Sequence, residues 1–240
     1  MASAIRLFVD HPLREGQRVP LTRDQVHYLT HVMRQPVGAE VFVFNGKDGE
    51  WAVLLDEVGK RSGVLAVTQQ TKPLMPPPDL WLLFAPIKKA RTDFIVEKAT
   101  ELGVAQIIPV QTERTNSERI RRDRLQSHAV EAAEQCGGTY VPKVTELQKL
   151  SVVLDDWRAD RALYFCDEEL AGHGGVAFAE RAPGEPAAIL IGPEGGFTTG
   201  ERERIGRIAR PVSLGPRILR ADTAAVAALA LWQARQGDWM

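Results

Sequence analysis

Ile189-Leu190-Ile191-Gly192-Pro193-Glu194-Gly195-Gly196-Phe197, followed further on by Ser213-Leu214-Gly215-Pro216-Arg217-Ile218-Leu219-Arg220-Ala221-Asp222-Thr223-Ala224, decides the reading of this chain. Each half has the same build. An apolar run reads as a buried strand, ends in a Gly/Pro turn, and gives way to a helical pattern. Two such units in tandem set two glycine-bearing loops side by side at the carboxyl ends of neighbouring parallel strands. Open α/β sheets bind ligands at that edge. Taken singly, each loop reads equally well as an ordinary strand-to-helix turn, because glycine serves turns everywhere.

Working outward, the chain of 240 residues holds one large domain or two modest ones. Hydrophobic residues make up 44% and charged residues 25%, as in ordinary globular proteins. No stretch approaches a membrane span, and the first ten residues lack the apolar core of a signal peptide, so a cytoplasmic location is expected. The two cysteines, Cys136 and Cys166, exclude a disulfide framework and a multi-cysteine zinc site. A net charge of -1 argues against coating nucleic acid by bulk attraction but leaves a local basic patch open. Charge alone favours a small-molecule enzyme.

The sharpest boundary is Lys72-Pro73-Leu74-Met75-Pro76-Pro77-Pro78, where clustered prolines break helix and sheet. It predicts a domain over 1–72, a linker over 73–78 and a second domain over 79–240. Before it the pattern is mostly β. Val41-Phe42-Val43-Phe44 and Trp51-Ala52-Val53-Leu54-Leu55 flank the turn residues Asn45 to Gly49, Gly63 to Val67 forms another strand, and a helix interrupts over Thr22 to Met33. This is the signature of a small β-barrel. After the linker, strands over Leu80–Ala85, Ala105–Val110, Arg161–Cys166, Ala187–Ile191 and Val212–Leu214 alternate with helices over Thr92–Leu102 and Arg122–Cys136. Continuous apolar strands between helices predict an α/β domain with a parallel sheet covered on both faces. Thr198 and Glu201 have capping-box spacing. Asp222 is placed to cap the last helix, whose apolar composition predicts burial.

The chemistry-bearing residues gather at the two loops. Glycines at 192, 195, 196 and 215 let a ligand approach the backbone closely, and Leu190, Ile191, Leu214, Ile218 and Leu219 supply apolar walls. A nucleotide phosphate loop is excluded in detail: Gly-Pro-Glu-Gly-Gly lacks a Gly-Lys-Ser/Thr ending and carries a carboxylate where phosphate would sit. Basic residues Lys88, Lys89 and Arg91 lie near predicted loop edges. The arginine run from Arg114 to Arg124 reads more readily as a solvated helix face. His27 and His31 share a helix face but have no third ligand, so no metal is expected.

Further pieces join these loops: Arg6-Leu7-Phe8, His27 with His31-Val32-Met33-Arg34 ending in Gly38, Lys88, the run Glu97 to Gly103, and Glu134-Gln135. With Gly-Pro-Glu-Gly-Gly and Leu-Gly-x-Arg-Ile-Leu-Arg in this order, the chain resembles the SPOUT methyltransferases, and within them the 16S ribosomal RNA (uracil-N3)-methyltransferase family. The resemblance runs over nearly the whole length. It implies a PUA-like RNA-binding domain ahead of a parallel-sheet SPOUT domain with a C-terminal trefoil knot, and a homodimer with active sites near the subunit interface.

The resemblance further implies S-adenosylmethionine as cofactor. Its expected site is Phe165, Cys166, Leu190, Ile191, Gly192, Pro193, Gly195, Gly196, Leu214, Gly215, Ile218, Leu219 and Ala224, with the first strand-end loop of the cleft at Phe165-Cys166-Asp167-Glu168. The implied reaction is methylation of N3 of a uridine in 16S ribosomal RNA of the small ribosomal subunit, with no metal and no membrane. N3 is a poor nucleophile until its proton leaves, so a cation near O2 or O4 must favour the anion. Arg220 is the first choice for it. Glu194 either handles the proton and orients the base or orders its own loop by hydrogen bonds. RNA contacts are expected at Lys88, Lys89, Arg91, Arg114, Asn116 and Ser117, and, in the N-terminal domain, at Arg6 and Arg34. Two positions depart from the family pattern: Gly138 stands where an arginine is usual, and Asp222 replaces a glutamate. The rival readings are a SPOUT enzyme acting on a ribose 2′-hydroxyl or a transfer RNA, and a non-catalytic RNA-binding or assembly protein.

Overall fold

In the computed structural model of the chain, residues 5–59, 61–116, 119–172, 178 and 184–239 are described. The chain divides into two units, residues 1–76 with 133–141 and residues 77–132 with 142–240. Residues 133–141, the end of a helix and the turn after it, group with the N-terminal unit, and the proline-rich 73–78 is divided between the two.

The first unit is built on a five-stranded sheet of β1 (Arg6–Phe8), β2 (Arg18–Leu21), β3 (Glu40–Phe44), β4 (Glu50–Val58) and β5 (Gly63–Lys72), in the order β1-β3-β4-β5-β2. β1 and β3 are parallel and the other pairs antiparallel. The β4–β5 ladder shifts register at three places, and such bulges bend a sheet. Alternate residues Val41 and Val43, Val53 and Leu55, Leu65 and Val67 enter one core with Val19 and Leu29. Asn45 organises the hairpin turn: its Oδ1 accepts from the N–H of Lys47 and Asp48 at 3.0 and 2.8 Å. The predicted helix starts with Thr22 as cap, runs as α1 (Arg23–His27) and then widens into a π-helical turn over Tyr28–Val32.

Arg6 lies inside this unit. Its Nε donates to Glu50 at 2.6 Å, and its terminal nitrogens donate to the carbonyls of Ala133, Glu134 and Gly138 at 2.7–2.8 Å. The guanidinium also covers the Phe44 ring, 4.6 Å from its centroid. The expectation that Arg6 contacts RNA is therefore corrected: a side chain only 10% exposed, with its donors committed, caps the end of a helix instead. Arg34 is exposed and adopts φ 51° in the left-handed region.

The second unit holds a parallel sheet of β6 (Leu80–Phe84), β7 (Gln106–Gln111), β8 (Lys143–Val144), β10 (Ala162–Cys166), β11 (Ala187–Ile191) and β12 (Ala209–Val212), ordered β12-β10-β11-β6-β7-β8, with β9 (Gln148–Lys149) beside β7. Every pairing is parallel. Its helices are α2 (Lys89–Glu101), α3 (Arg122–Cys136, its last turn counted with the first unit), α4 (Leu150–Asp155), α5 (Thr199–Gly206) and α6 (Ala221–Gln236). β11 is buried at all five positions, as the unbroken apolar run predicts for a central parallel strand. The strand expected over Val212–Leu214 lies earlier, ending at Val212. β12 is an edge strand that tolerates Pro211 and presents Arg210 outward.

α6 packs on α2 and β11, burying Ala225, Ala228, Leu229 and Trp232 within this unit. Its cap is Arg220, without a side-chain capping bond. Asp222, the expected cap, sits in the first turn, where a carboxylate favours the helix dipole. Among the described residues no helix is long and apolar enough to cross a membrane.

Candidate active site

Three loops leave the carboxyl ends of β10, β11 and β12, and between them lies a cavity of about 540 Å³. The first loop begins at Asp167, whose side chain accepts from Glu169 N–H at 3.0 Å and starts a 3-10 turn over Glu168–Leu170. The second, residues 192–196, is pinned by Phe197, whose ring lies against Gly192 and meets Phe165 edge-on at 6.1 Å. Thr198 and Glu201 then form the predicted capping box of α5. Gly196 has φ 67°, a conformation that favours glycine, and it lies against Glu168 of the first loop, whose Oε1 would be 2.5 Å from a Cβ there. The third loop, residues 213–220, is tied to the first: the Ser213 hydroxyl donates to Leu170 O at 3.1 Å and Gly172 N–H to Gly215 O at 3.4 Å.

Cys166, Ile191, Gly192, Pro193, Gly195, Gly196, Leu214, Gly215, Ile218, Leu219 and Ala224 all line the cavity, together with Glu194 and Arg220. Phe165 and Leu190 do not. They sit one residue before the strand ends, and their side chains pack in the core with Leu83, Ile108 and Leu163. Asp167 and Glu168, in the expected first strand-end loop of the cleft, also line it, as do Ala171, Arg217 and Ala221, which were not expected there. Burial pushes the Cys166 thiol up to about 12, so it is a neutral apolar wall at physiological pH.

Arginines fasten the second loop. Arg91, from the start of α2, bonds Glu194 at 2.6 Å and lies 3.6 Å from Asp222 at the start of α6. Arg114 donates to Gly195 O at 2.8 Å. The Arg91 guanidinium, expected as an RNA contact, is thus bonded at the cavity rim. Glu194 is correspondingly ion-paired. Arg217 and Arg220 are exposed and make no side-chain hydrogen bond or ion pair with the described residues.

A second hollow of about 260 Å³ adjoins the cavity, sharing Pro193 and Glu194 with it. Its other walls are Pro86, Ile87, Lys88, Lys89, Arg114 and Asn116. Four expected RNA contacts from two different loops therefore meet beside the cavity. Ser117 lies outside the described residues. The His27 and His31 rings stack 4.9 Å apart in the first unit.

The chain matches two family models: the RNA methyltransferase domain over residues 75–233 and the RNA methyltransferase PUA domain over residues 21–67. Among curated relatives, ribosomal RNA small subunit methyltransferase E of Rickettsia conorii is 29% identical over 231 residues, covering 94% of this chain and 93% of that protein. The enzyme of the same name from Synechocystis sp. is 33% identical over 218 residues, covering 88% and 71%. Among solved structures, ribosomal RNA small subunit methyltransferase E of Neisseria gonorrhoeae, bound to S-adenosyl methionine, superposes with a TM-score of 0.89 at 28% identity, over 99% of this chain and 100% of that one. A methyltransferase of Legionella pneumophila in complex with the same cofactor gives 0.86 at 26%, again over 99% and 100%.

Fold and cavity together define an RNA methyltransferase of the SPOUT class preceded by a PUA-like domain. With the Synechocystis relative at this identity and coverage, the chain belongs to the ribosomal RNA small subunit methyltransferase E family.

Proposed function

We propose that this protein transfers a methyl group from S-adenosylmethionine to N3 of a uridine in 16S ribosomal RNA, presented by the small ribosomal subunit. One observation carries the reading. A cavity framed by three strand-end loops, with Arg220 unpaired at its edge, opens beside a hollow that gathers Lys88, Lys89, Arg114 and Asn116. The cavity volume is in the range of small-ligand sites, about 300–1,000 Å³. Its walls suit the cofactor. Ile191, Leu214 and Leu219 offer apolar surface for an adenine, and glycines at 192, 195, 196 and 215 bare the backbone.

S-adenosylmethionine supplies a methyl group activated on a sulfonium. The chain's residues prepare the acceptor. Uridine N3 must lose its imide proton, to the Glu194 carboxylate or to water, in order to attack, and Arg220, free of any protein partner among the described residues, stabilises the charge that develops on the base oxygens. Glu194, held by Arg91, orients the base. The lysines and Asn116 hold the RNA backbone beside a target base that is unpaired or flipped out. Arg34, exposed in the first unit, is a further RNA contact. Homodimerisation is supported by apolar surface on the second unit: Ile218 is 74% exposed, and Phe94 and Leu231 are partly exposed. The working location is the cytoplasm, where ribosomal subunits mature.

The test is incorporation of labelled methyl groups from S-adenosylmethionine into hypomethylated small subunits and, separately, into free 16S RNA. Incorporation into the subunits, lost in R220A, is expected. No incorporation into either would reject the reading.

A further inference from the structure

We infer that Arg202, on α5, is a positioning residue for the cofactor cavity, acting by holding the loop after β10 through all three of its consecutive carboxylates. Its Nη1 bonds Asp167 at 2.5 Å, its Nη2 bonds Glu168 at 2.5 Å, and its Nε lies 3.2 Å from Glu169. This rests on the cavity being the cofactor site.

The position of that loop explains why one side chain matters so much. Asp167 and Glu168 line the cavity themselves. Glu168 abuts Gly196 of the second loop, and Leu170 and Gly172 bond the third. The loop after β10 thus touches both others, and its placement bears on the shape of the cleft between them. Left alone, three adjacent carboxylates repel one another. A guanidinium is the side chain whose planar fork can satisfy several of them at once. Burial opposes the charge on Arg202, but its bonds to Asp167, with the fields of Glu168 and Glu169, outweigh that and push its pKa upward.

α5 is a firm base for the clamp. The capping box fixes its start, Glu201 accepts from Glu113 N–H at 2.9 Å, and Arg204 pairs with Asp155 of α4. Arg202 is only 16% exposed, and its contacts join segments more than thirty residues apart in sequence.

The experiment is calorimetric titration of the full-length protein with S-adenosylmethionine and, separately, with S-adenosylhomocysteine, for wild type, R202A, R202K and E203Q. Glu203 is an exposed neighbour on the same helix and serves as control. If Arg202 positions the loop, R202A weakens both ligands by about tenfold or more, since small misplacements of a preorganised site have effects of this size. R202K recovers part of the loss, because an ammonium cannot fork to three carboxylates, and E203Q matches wild type. If R202A does not fold, the partial loss in R202K decides. Wild-type affinity in both arginine variants overturns the inference. So does tighter binding of the sulfonium form alone, which would mean that Arg202 supplies charge and not position. A wild-type protein that binds neither ligand overturns the cofactor reading itself, and this inference with it.

Discussion

Replacing Arg6 by alanine separates a structural arginine from an RNA-binding one. The side chains of Arg6 and Glu50 are 10% and 5% exposed, so removing the cation strands a carboxylate inside the first unit. Breaking a buried pair from one side costs about 3–5 kcal/mol. Glu50 keeps a Thr71 hydroxyl at 2.9 Å and Lys72 at 3.3 Å, which draws the value toward the lower end. The helix-end carbonyls of Ala133 and Glu134 and that of Gly138 beyond the helix also lose their donor, and the Phe44 ring loses its covering cation. A net loss of about 3 kcal/mol corresponds to about 12–24 °C in the midpoint of a unit this size. Scanning calorimetry on wild type and R6A reads it directly.

The pH dependence provides a second reading of the same pair. Burial works to raise the Glu50 carboxyl, but Arg6, Thr71 and Lys72 together hold it below the ordinary glutamate value. A depressed folded pKa stabilises above the unfolded value and loses that stabilisation as pH falls through the folded one. The stabilisation that this pair gives the wild type is therefore full at pH 7 and fades below about pH 4.3, so the gap to R6A is narrower in acid. A midpoint unchanged in R6A, with RNA affinity lost, would refute the reasoning and restore Arg6 to the RNA-binding surface.

Three further outcomes follow from the second unit. R220A retains cofactor affinity but loses about 10²–10³-fold in methyl transfer, the usual cost of removing one charge-stabilising donor, and near-normal turnover would remove Arg220 from the chemistry. G196V loses cofactor affinity by calorimetry, because φ 67° disfavours a β-branched residue and its Cβ would fall 2.5 Å from Glu168 Oε1; unchanged affinity would mean that the first two loops do not have to touch. Alkylation of the native protein at pH 8, followed by peptide mapping, labels exposed Cys136 and spares Cys166, whose thiol is buried and held at about 12; equal labelling would contradict the packing of the β10 end.

The parts of the fold that the sequence announces are those where local pattern and tertiary role agree. α3 runs over the residues whose apolar stripe predicts it, and β11 is the unbroken Ala187–Ile191 run. β1, β2 and β12 were not legible at their true bounds. β1 and β2 are three and four residues long, β2 and β12 carry Pro20 and Pro211, and β2 and β12 are sheet edges where apolar content is low.

In the site, glycine spacing and strand ends locate the cavity, but the sequence does not say which way a strand residue faces. That is why Phe165 and Leu190 were expected at the rim and lie in the core. Nor does it reveal an arginine's partner. Arg6 meets residues 44 to 132 positions away, and Arg91 meets Glu194 across 103 positions, distances at which only the folded chain pairs charges. Arg202 was missed for the same reason.

The central claim is the identity of the atom methylated. Hypomethylated small subunits incubated with the protein and labelled S-adenosylmethionine, digested and resolved by mass spectrometry, identify the modified nucleoside. N3-methyluridine is the predicted product. A ribose-methylated or otherwise different nucleoside would contradict the assignment of Arg220 and the basic hollow to a uracil N3 site.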